Sequence, residues 1–344
     1  MALDTPTSLV EHHDLPGATI ALCSADGPIA RGIGWRNRSR EVRLDAAARF
    51  PIYSITKTMI ATILLQLVDD GAFTLDTPLR SIIPEDAWWD PGITLRQTLN
   101  HTAGLPDYGG QPAYRDALRA HPEIPWDDAA FLACRQGLGM QFRPGSGWAY
   151  SNIGYLLLRH AIERSTGTSF AEAIATRIAR PLGLGRTSVV TDLAAMSDLT
   201  PGYSTLLSAG GTEENITPRY HPGWVGHGLV ASTAAETACF LFALLNGSLI
   251  SPAALAAMLT PVRVPIPDHP IFREPSYGLG VMIGRAEGGT LVGHGGGGPG
   301  YSLGVLGLVQ DGRAIVASGM ANADRGEIGL DLAVRELRRM TASV

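Results

Sequence analysis

Residues 54–70 (SITKTMIATILLQLVDD) constrain this chain more than any other stretch, because they make a helix with no wet side. Ile55, Met59, Ile60, Ile63, Leu64, Leu67 and Val68 occupy most of its circumference. A helix apolar nearly all round belongs between layers, so the rest of the chain has to supply a layer on either side of it. Gly71 and the Leu75-Asp76-Thr77-Pro78 turn end it. Set into this apolar helix is Lys57, the only lysine in 344 residues; the other 26 of the 27 Lys and Arg residues are arginine.

An arginine stays protonated at any working pH, whereas a desolvated lysine can shed its proton and act as a base. Ser54 stands three positions earlier, on the same helical face. At a helix N-terminus the free N–H groups and the positive dipole end favour a developing alkoxide and disfavour a protonated lysine. Ser and Lys three apart recur by chance in most chains. A sole lysine among Ile, Leu and Met does not, which weighs against the competing reading of a solvated surface lysine. Ser54 is therefore a candidate nucleophile and Lys57 its base.

Both ends of the chain offer a layer. Residues 15–24 and 28–36 read as two strands around Ala25-Asp26-Gly27. Residues 277–284, 290–294, 302–310 and 314–319 are also strand-like, and residues 327–340 form a closing amphipathic helix. Thr233 and Glu236 fit a capping box for a helix that runs through Leu245. In between, residues 93–100, 126–136, 153–165 and 169–180 read as helices. The expected fold class is α+β, an antiparallel sheet built from both termini and flanked by helices. Residues 1–74 and 200–344 form the sheet domain, residues 75–199 an inserted, mostly helical domain, and the active site lies between them.

Composition removes several function classes. The net charge is −5 and the arginines are scattered singly, so no basic patch points to nucleic acid. No apolar run approaches the roughly 20 residues needed to span a bilayer. Residues 1–17 carry Asp4, Glu11 and Asp14 where a signal peptide needs an apolar run, so the expected compartment is the cytoplasm. Cys23, Cys134 and Cys239 lack metal-type spacing and are expected as reduced core thiols. The histidines are scattered as well, so neither a metal nor a cofactor is expected.

Two further segments carry chemistry. Tyr150-Ser151-Asn152 follows a Gly-rich turn and opens a helix. Packing is the commoner use of such a tyrosine, but a phenol beside a lysine can relay a proton, and an Asn amide can hold a substrate carbonyl. The run Gly293-His294-Gly295-Gly296-Gly297-Gly298-Pro299-Gly300, just after a strand, costs backbone entropy, so something needs bare backbone close by. It reads as an edge strand lining a cleft, with the Gly297 N–H as half an oxyanion hole. The alternative is a flexible hairpin or nucleotide loop, but a phosphate loop needs a helix next, and strand-like residues 303–309 follow. Gly300-Tyr301-Ser302-Leu303-Gly304 matches the nucleophile-elbow pattern but continues as strand, and no histidine follows His294; it is a decoy.

Ser54-x-x-Lys57, Tyr150-x-Asn152 and His294-Gly295-Gly296 stand in the order and approximate spacing of the three motifs of serine β-lactamase and penicillin-binding-protein-like enzymes, and the chain resembles that family. The likeness is to class C β-lactamases, D-alanyl-D-alanine carboxypeptidases, D-aminopeptidases and β-lactamase-like carboxylesterases, and it also covers residues 93–108, 142–155 and 226–247. The resemblance implies that Ser54 is acylated, Lys57 is its base and Tyr150 relays the proton. It further implies that Asn152 positions substrate, that His294, Gly295 and Gly296 stand on the cleft-edge strand, and that the Ser54 and Gly297 N–H groups form the oxyanion hole.

Where β-lactamases usually carry Lys on the third motif, this chain has His294, mostly neutral at pH 7. That weakens the case for a substrate carboxylate, and four consecutive glycines leave that wall open to bulky groups. The expected reaction is acyl transfer through acyl-Ser54 on intracellular small-molecule esters or amides, as an esterase, amidase or D-peptidase. Competing readings are a transacylase with an amine or alcohol acceptor, a β-lactamase or D,D-carboxypeptidase, and a non-catalytic acylated sensor. The oligomeric state is left open.

Overall fold

The computed structural model describes residues 5–84, 89–133, 138–208 and 210–341. In chain order the strands are β1 (Gly17–Ser24), β2 (Gly27–Gly34), β3 (Arg49–Pro51), β4 (Ser188–Val190), β5 (Tyr203–Ser204), β6 (Glu214–Asn215) and β7 (Leu229–Thr233). They continue with β8 (Val262–Arg263), β9 (Arg273–Tyr277), β10 (Met282–Ala286), β11 (Gly289–Gly298), β12 (Tyr301–Gln310) and β13 (Arg313–Ala321). Eight of them make one antiparallel sheet in the order β2-β1-β13-β12-β11-β10-β9-β8. The two ends of the chain meet in it, with Ala18 opposite Ala321.

Helices cover both faces. Gly307 of β12 faces Leu245 at the end of the helix Ala234–Leu245, and Gly304 faces Leu330 of the closing helix Ile328–Thr341. Residues an odd number apart on a strand point to opposite faces, so these two helices sandwich the sheet. The helix Thr56–Asp69 shares the core of Ala234–Leu245, and every residue from Thr56 to Leu65 is buried. Its lack of a wet side is met as expected.

A second, three-stranded sheet, β3-β7-β4, fixes where that helix begins. Pro51 pairs with Ala231, and the Ile52 N–H donates to Val230 O at 2.8 Å, so β7 grips the residues just before Ser54. β4 comes from the mostly helical stretch and pairs with β7 through Ser188 and Ala231. Residues 75–199 thus include a strand tied to the rest of the chain.

Several expected elements shift for identifiable reasons. The run 277–284 is not one strand: β9 ends at Tyr277, a turn closes with Gly278 N–H to Val281 O at 2.8 Å, and β10 starts at Met282. This turn is apolar because it packs on the Lys57 helix and not on water, Thr58 Oγ1 donating to Gly280 O at 2.7 Å. The helix expected over 126–136 is Asp128–Ala133, its last expected residues lying outside the described ones. Thr233 caps its helix, but the Glu236 carboxylate accepts from Arg186 N–H and Thr187 Oγ1 and not from the cap backbone, so the box is half made. Cys23 is buried and Cys239 half-buried, their Sγ atoms 3.2 Å apart, and Cys134 lies outside the described residues.

Candidate active site

Ser54 sits in a 3-10 turn, Tyr53–Ile55, one step ahead of the helix proper. Tyr53 adopts φ 43°, a region that costs an L-residue energy, and its surroundings hold it there. Its Oη donates to Pro299 O at 2.9 Å. The turn presses against β11: a Cβ on Gly296 would stand 2.4 Å from Ile52 O, and one on Gly298 2.1 Å from the Tyr53 ring. This close approach is what needs the bare backbone.

The glycine run is accordingly the second half of β11 and does not follow a strand. Residues 289–293 pair with β10, whereas residues 294–298 pair with β12 alone and leave one edge open to the Ser54 turn. The wall is also less open than four glycines imply. Gly295 faces Leu330, Gly296 and Gly298 meet the Ser54 turn, and only Gly297 faces free space.

Ser54 Oγ lies between two donors. Lys57 Nζ is 3.1 Å away and Tyr150 Oη donates to it at 3.0 Å. Lys57 is wholly buried, and Nζ also donates to Asn152 Oδ1 at 2.8 Å. Burial drives its pKa well below the usual lysine range, with Asp107 opposing the shift from a distance. Tyr150 moves the other way: desolvation raises the phenol well above its usual range, so it remains a proton donor. A neutral amine on one side and an intact phenol on the other is the arrangement that can take a proton from Ser54 and deliver one elsewhere.

Local sequence explains how Tyr150 and Asn152 are aimed. Ser151 caps the helix Asn152–Thr166, its Oγ accepting from Gly154 N–H at 3.0 Å, so its two neighbours flank the cap. Asp107 holds this start, accepting from Asn152 N–H at 2.7 Å and Gly109 N–H at 3.0 Å.

His294 stands on β11, the expected cleft-edge strand, but its side chain does not line the cavity at Ser54. The ring is completely buried behind Tyr150, their centroids 6.5 Å apart. Nδ1 is 2.6 Å from Gly295 O, which can only accept, so Nδ1 carries the proton and Nε2 accepts from Tyr277 Oη at 2.8 Å. Burial pushes its pKa down to about 3. With both nitrogens used inside the protein, His294 offers substrate nothing directly. His101 is likewise buried and shifted down by desolvation, its Nδ1 accepting from Ser151 N–H at 3.1 Å. The decoy Ser302 is inside β12, its Oγ spent on Gly326 O at 2.7 Å.

Sequence reading missed His227. It is buried, it lines the site, and its ring nitrogens are 3.4 and 3.3 Å from Lys57 Nζ. A signal was available: Gly226-His227-Gly228 repeats the Gly293-His294-Gly295 pattern.

At Ser54 a cavity of about 280 Å³ opens between Asn152, His227 and residues 297–299, walled by Tyr108, Tyr114, Tyr220 and Trp224. Beyond residues 297–299 a wider cavity of about 510 Å³ continues towards Arg119, Asp324 and Arg325. Among the described residues no group of three or more His, Cys, Asp or Glu could hold a metal ion, and no helix is long and apolar enough to cross a membrane.

This sheet and helix frame, with a serine hydroxyl set between an amine and a phenol, defines a serine acyl-transfer enzyme. The family model described as Beta-lactamase matches residues 6–335, and the chain belongs to that family. It is 28% identical over 319 residues to a penicillin-binding protein of Bacillus subtilis (strain 168), covering 90% of this chain and 69% of that protein. A D-aminopeptidase of Gluconobacter oxydans (strain 621H) is 28% identical over 285 residues, 82% of this chain and 51% of its own length, so this chain spans about half of that relative. Among solved structures, a D-stereospecific amidohydrolase from Streptomyces sp. superposes with a TM-score of 0.80 at 28% identity, covering 98% of this chain and 97% of that one.

Proposed function

We propose that this chain hydrolyses small-molecule amides or esters through an acyl-Ser54 intermediate. The observation that carries the reading is the pair of contacts on Ser54 Oγ, Lys57 Nζ at 3.1 Å and Tyr150 Oη at 3.0 Å, at the mouth of a cavity. Lys57 takes the Ser54 proton as Oγ bonds to the substrate carbonyl carbon. The carbonyl–nitrogen or carbonyl–oxygen bond then breaks, and Tyr150 passes a proton to the leaving group. Water resolves the ester by the reverse sequence. The Ser54 and Gly297 N–H groups are assigned to the oxyanion, and Asn152 to both the amine and the substrate.

The aromatic wall of the cavity supports an acyl group with a bulky apolar side chain. The relatives named D-aminopeptidase and D-stereospecific amidohydrolase favour amides over esters as the working substrate. A β-lactam or a D,D-peptide carboxylate is disfavoured, because His294 is buried and neutral on the strand where a cation would be wanted. The wider cavity past residues 297–299 supports a second reading in which an amine acceptor replaces water.

The test is a panel of nitrophenyl esters and D-amino acid amides with wild type and Ser54→Ala, with and without an added amine. Turnover lost in Ser54→Ala is the expected result, and turnover unchanged there defeats the assignment. Hydrolysis indifferent to the amine removes the acceptor reading.

A further inference from the structure

Two Gly-His-Gly tripeptides converge on the sole lysine, and the proposed chemistry gives a task to neither ring. Only His227 touches Nζ, and its surroundings are built to hold it there. The Gly226 N–H donates to Tyr108 Oη at 3.0 Å, and Gly228 takes φ +90° against the Phe170 ring, so the histidine between them is fixed at both ends. The ring also lies beside the backbone of Tyr53, the strained residue that precedes Ser54. A hydrogen bond in the ring plane would bring one nitrogen close and leave the other farther away. Nζ is instead 3.4 Å from Nδ1 and 3.3 Å from Nε2, which puts the amine over the imidazole face.

We propose that His227 is the positioning residue of Lys57: its ring covers the amine, shuts water out, and keeps Nζ an uncharged base aimed at Ser54. The inference rests on the reading of Lys57 as the base. Nζ has four kinds of neighbour. They are the Ser54 hydroxyl of its own turn, the Asn152 carbonyl oxygen, the rings of Tyr150 and Tyr155 with centroids 5.0 and 5.4 Å away, and the His227 face. Asp107 acts on it from farther off and favours the charged amine. His101 and His294, both buried, lie on the same side of the balance as His227. Removing the ring that covers Nζ opens room for water, and water solvates an ammonium better than an imidazole face does. The charged form gains and the base is lost over a wider pH range. Lys57 also opposes protonation of His227, with a further contribution from Arg159, so the two titrate as a pair that avoids a double charge.

Because Lys57 is the only lysine, isotope labelling of the lysine side chain yields a single Nζ resonance whose titration reads this residue alone. The experiment follows that resonance, and the acid limb of kcat/KM for a nitrophenyl ester, in wild type, His227→Ala and His227→Asn. Wild-type Lys57 is expected to titrate below the free-lysine range. In His227→Ala both the resonance and the rate limb are expected to move up together by about one pH unit or more. His227→Asn keeps a polar group and fills part of the space, so it is expected to lie between the two and guards against a variant that does not fold. A resonance and limb that stay at the wild-type pH in both folded variants overturn the proposal. A resonance that moves while the limb stays upholds the hold of His227 on Lys57 and overturns instead the reading of Lys57 as the base.

Discussion

The two Gly-His-Gly tripeptides have the same local sequence and opposite relations to the site. His294 is anchored at both nitrogens, to Gly295 O and Tyr277 Oη, and is held 6.5 Å from the Tyr150 ring. His227 lays its face against Lys57 Nζ and borders the cavity at Ser54. Both rings are buried and held neutral chiefly by desolvation. The difference shows that burial alone does not make a histidine part of a site; the neighbour that takes up its nitrogens or its face decides.

The sharpest way to break this contrast is Lys57→Arg, which replaces an amine that can lose its proton with a guanidinium that stays charged. The expected fall in kcat/KM is on the order of 10³-fold, measured on the best ester or amide of the panel. A variant within tenfold of wild type would defeat the reading of Lys57 as the base, and with it the role given to His227.

Gly298→Ala tests the seat of the nucleophile beside the outer histidine strand. The new Cβ would meet the Tyr53 ring at 2.1 Å, so either the ring or β11 must move. A shift of that kind next to Ser54 is expected to lower kcat/KM on the order of 10²-fold. Wild-type turnover in this variant would show that the Tyr53 turn does not set the position of Ser54.

The smallest effect on rate is expected for His294→Gln, and it should appear in stability instead. Losing the ring leaves Tyr277 Oη short of a buried partner, a cost of about 1–3 kcal/mol at pH 8 by thermal or urea unfolding. The sign of the pH effect follows from the direction of the shift. A histidine whose folded pKa lies below 6.5 contributes full stability above that value and loses it as pH falls towards its folded pKa, about 3 for His294. The variant should therefore lose stability less steeply than wild type between about pH 6.5 and 3. The acid limb of kcat/KM should stay in place, unlike that of His227→Ala. A limb that moved equally in both variants would erase the distinction between the two rings.

Most of the frame was legible for local reasons. The Ser54 helix has no polar face, and strand patterns stand at both ends of the chain, which is enough to predict a buried helix and a sheet closed by β1 and β13. The misread elements share one cause, a signal borrowed by a distant partner. The turn after β9 carries no polar residues because it packs on the Lys57 helix, and Glu236 leaves its capping box for Arg186 and Thr187. The glycines were noticed for their cost, but which atoms needed them is a matter of how β11 meets the turn at Ile52 and Tyr53.

Taken alone, the sequence determined that the lysine is dry and marked Ser54 and Lys57 as a candidate nucleophile and base, because a single lysine within an apolar helix carries that information in one dimension; Tyr150 joined them only through the family resemblance. Tertiary structure decided which histidine faces the amine. His227 stands 170 positions from Lys57, and its aim depends on Tyr108 and Phe170, neither of them its sequence neighbour. Periodicity reports which side of an element is apolar. Which ring ends up against a buried amine is set by contacts between distant segments, and those exist only once the chain has folded.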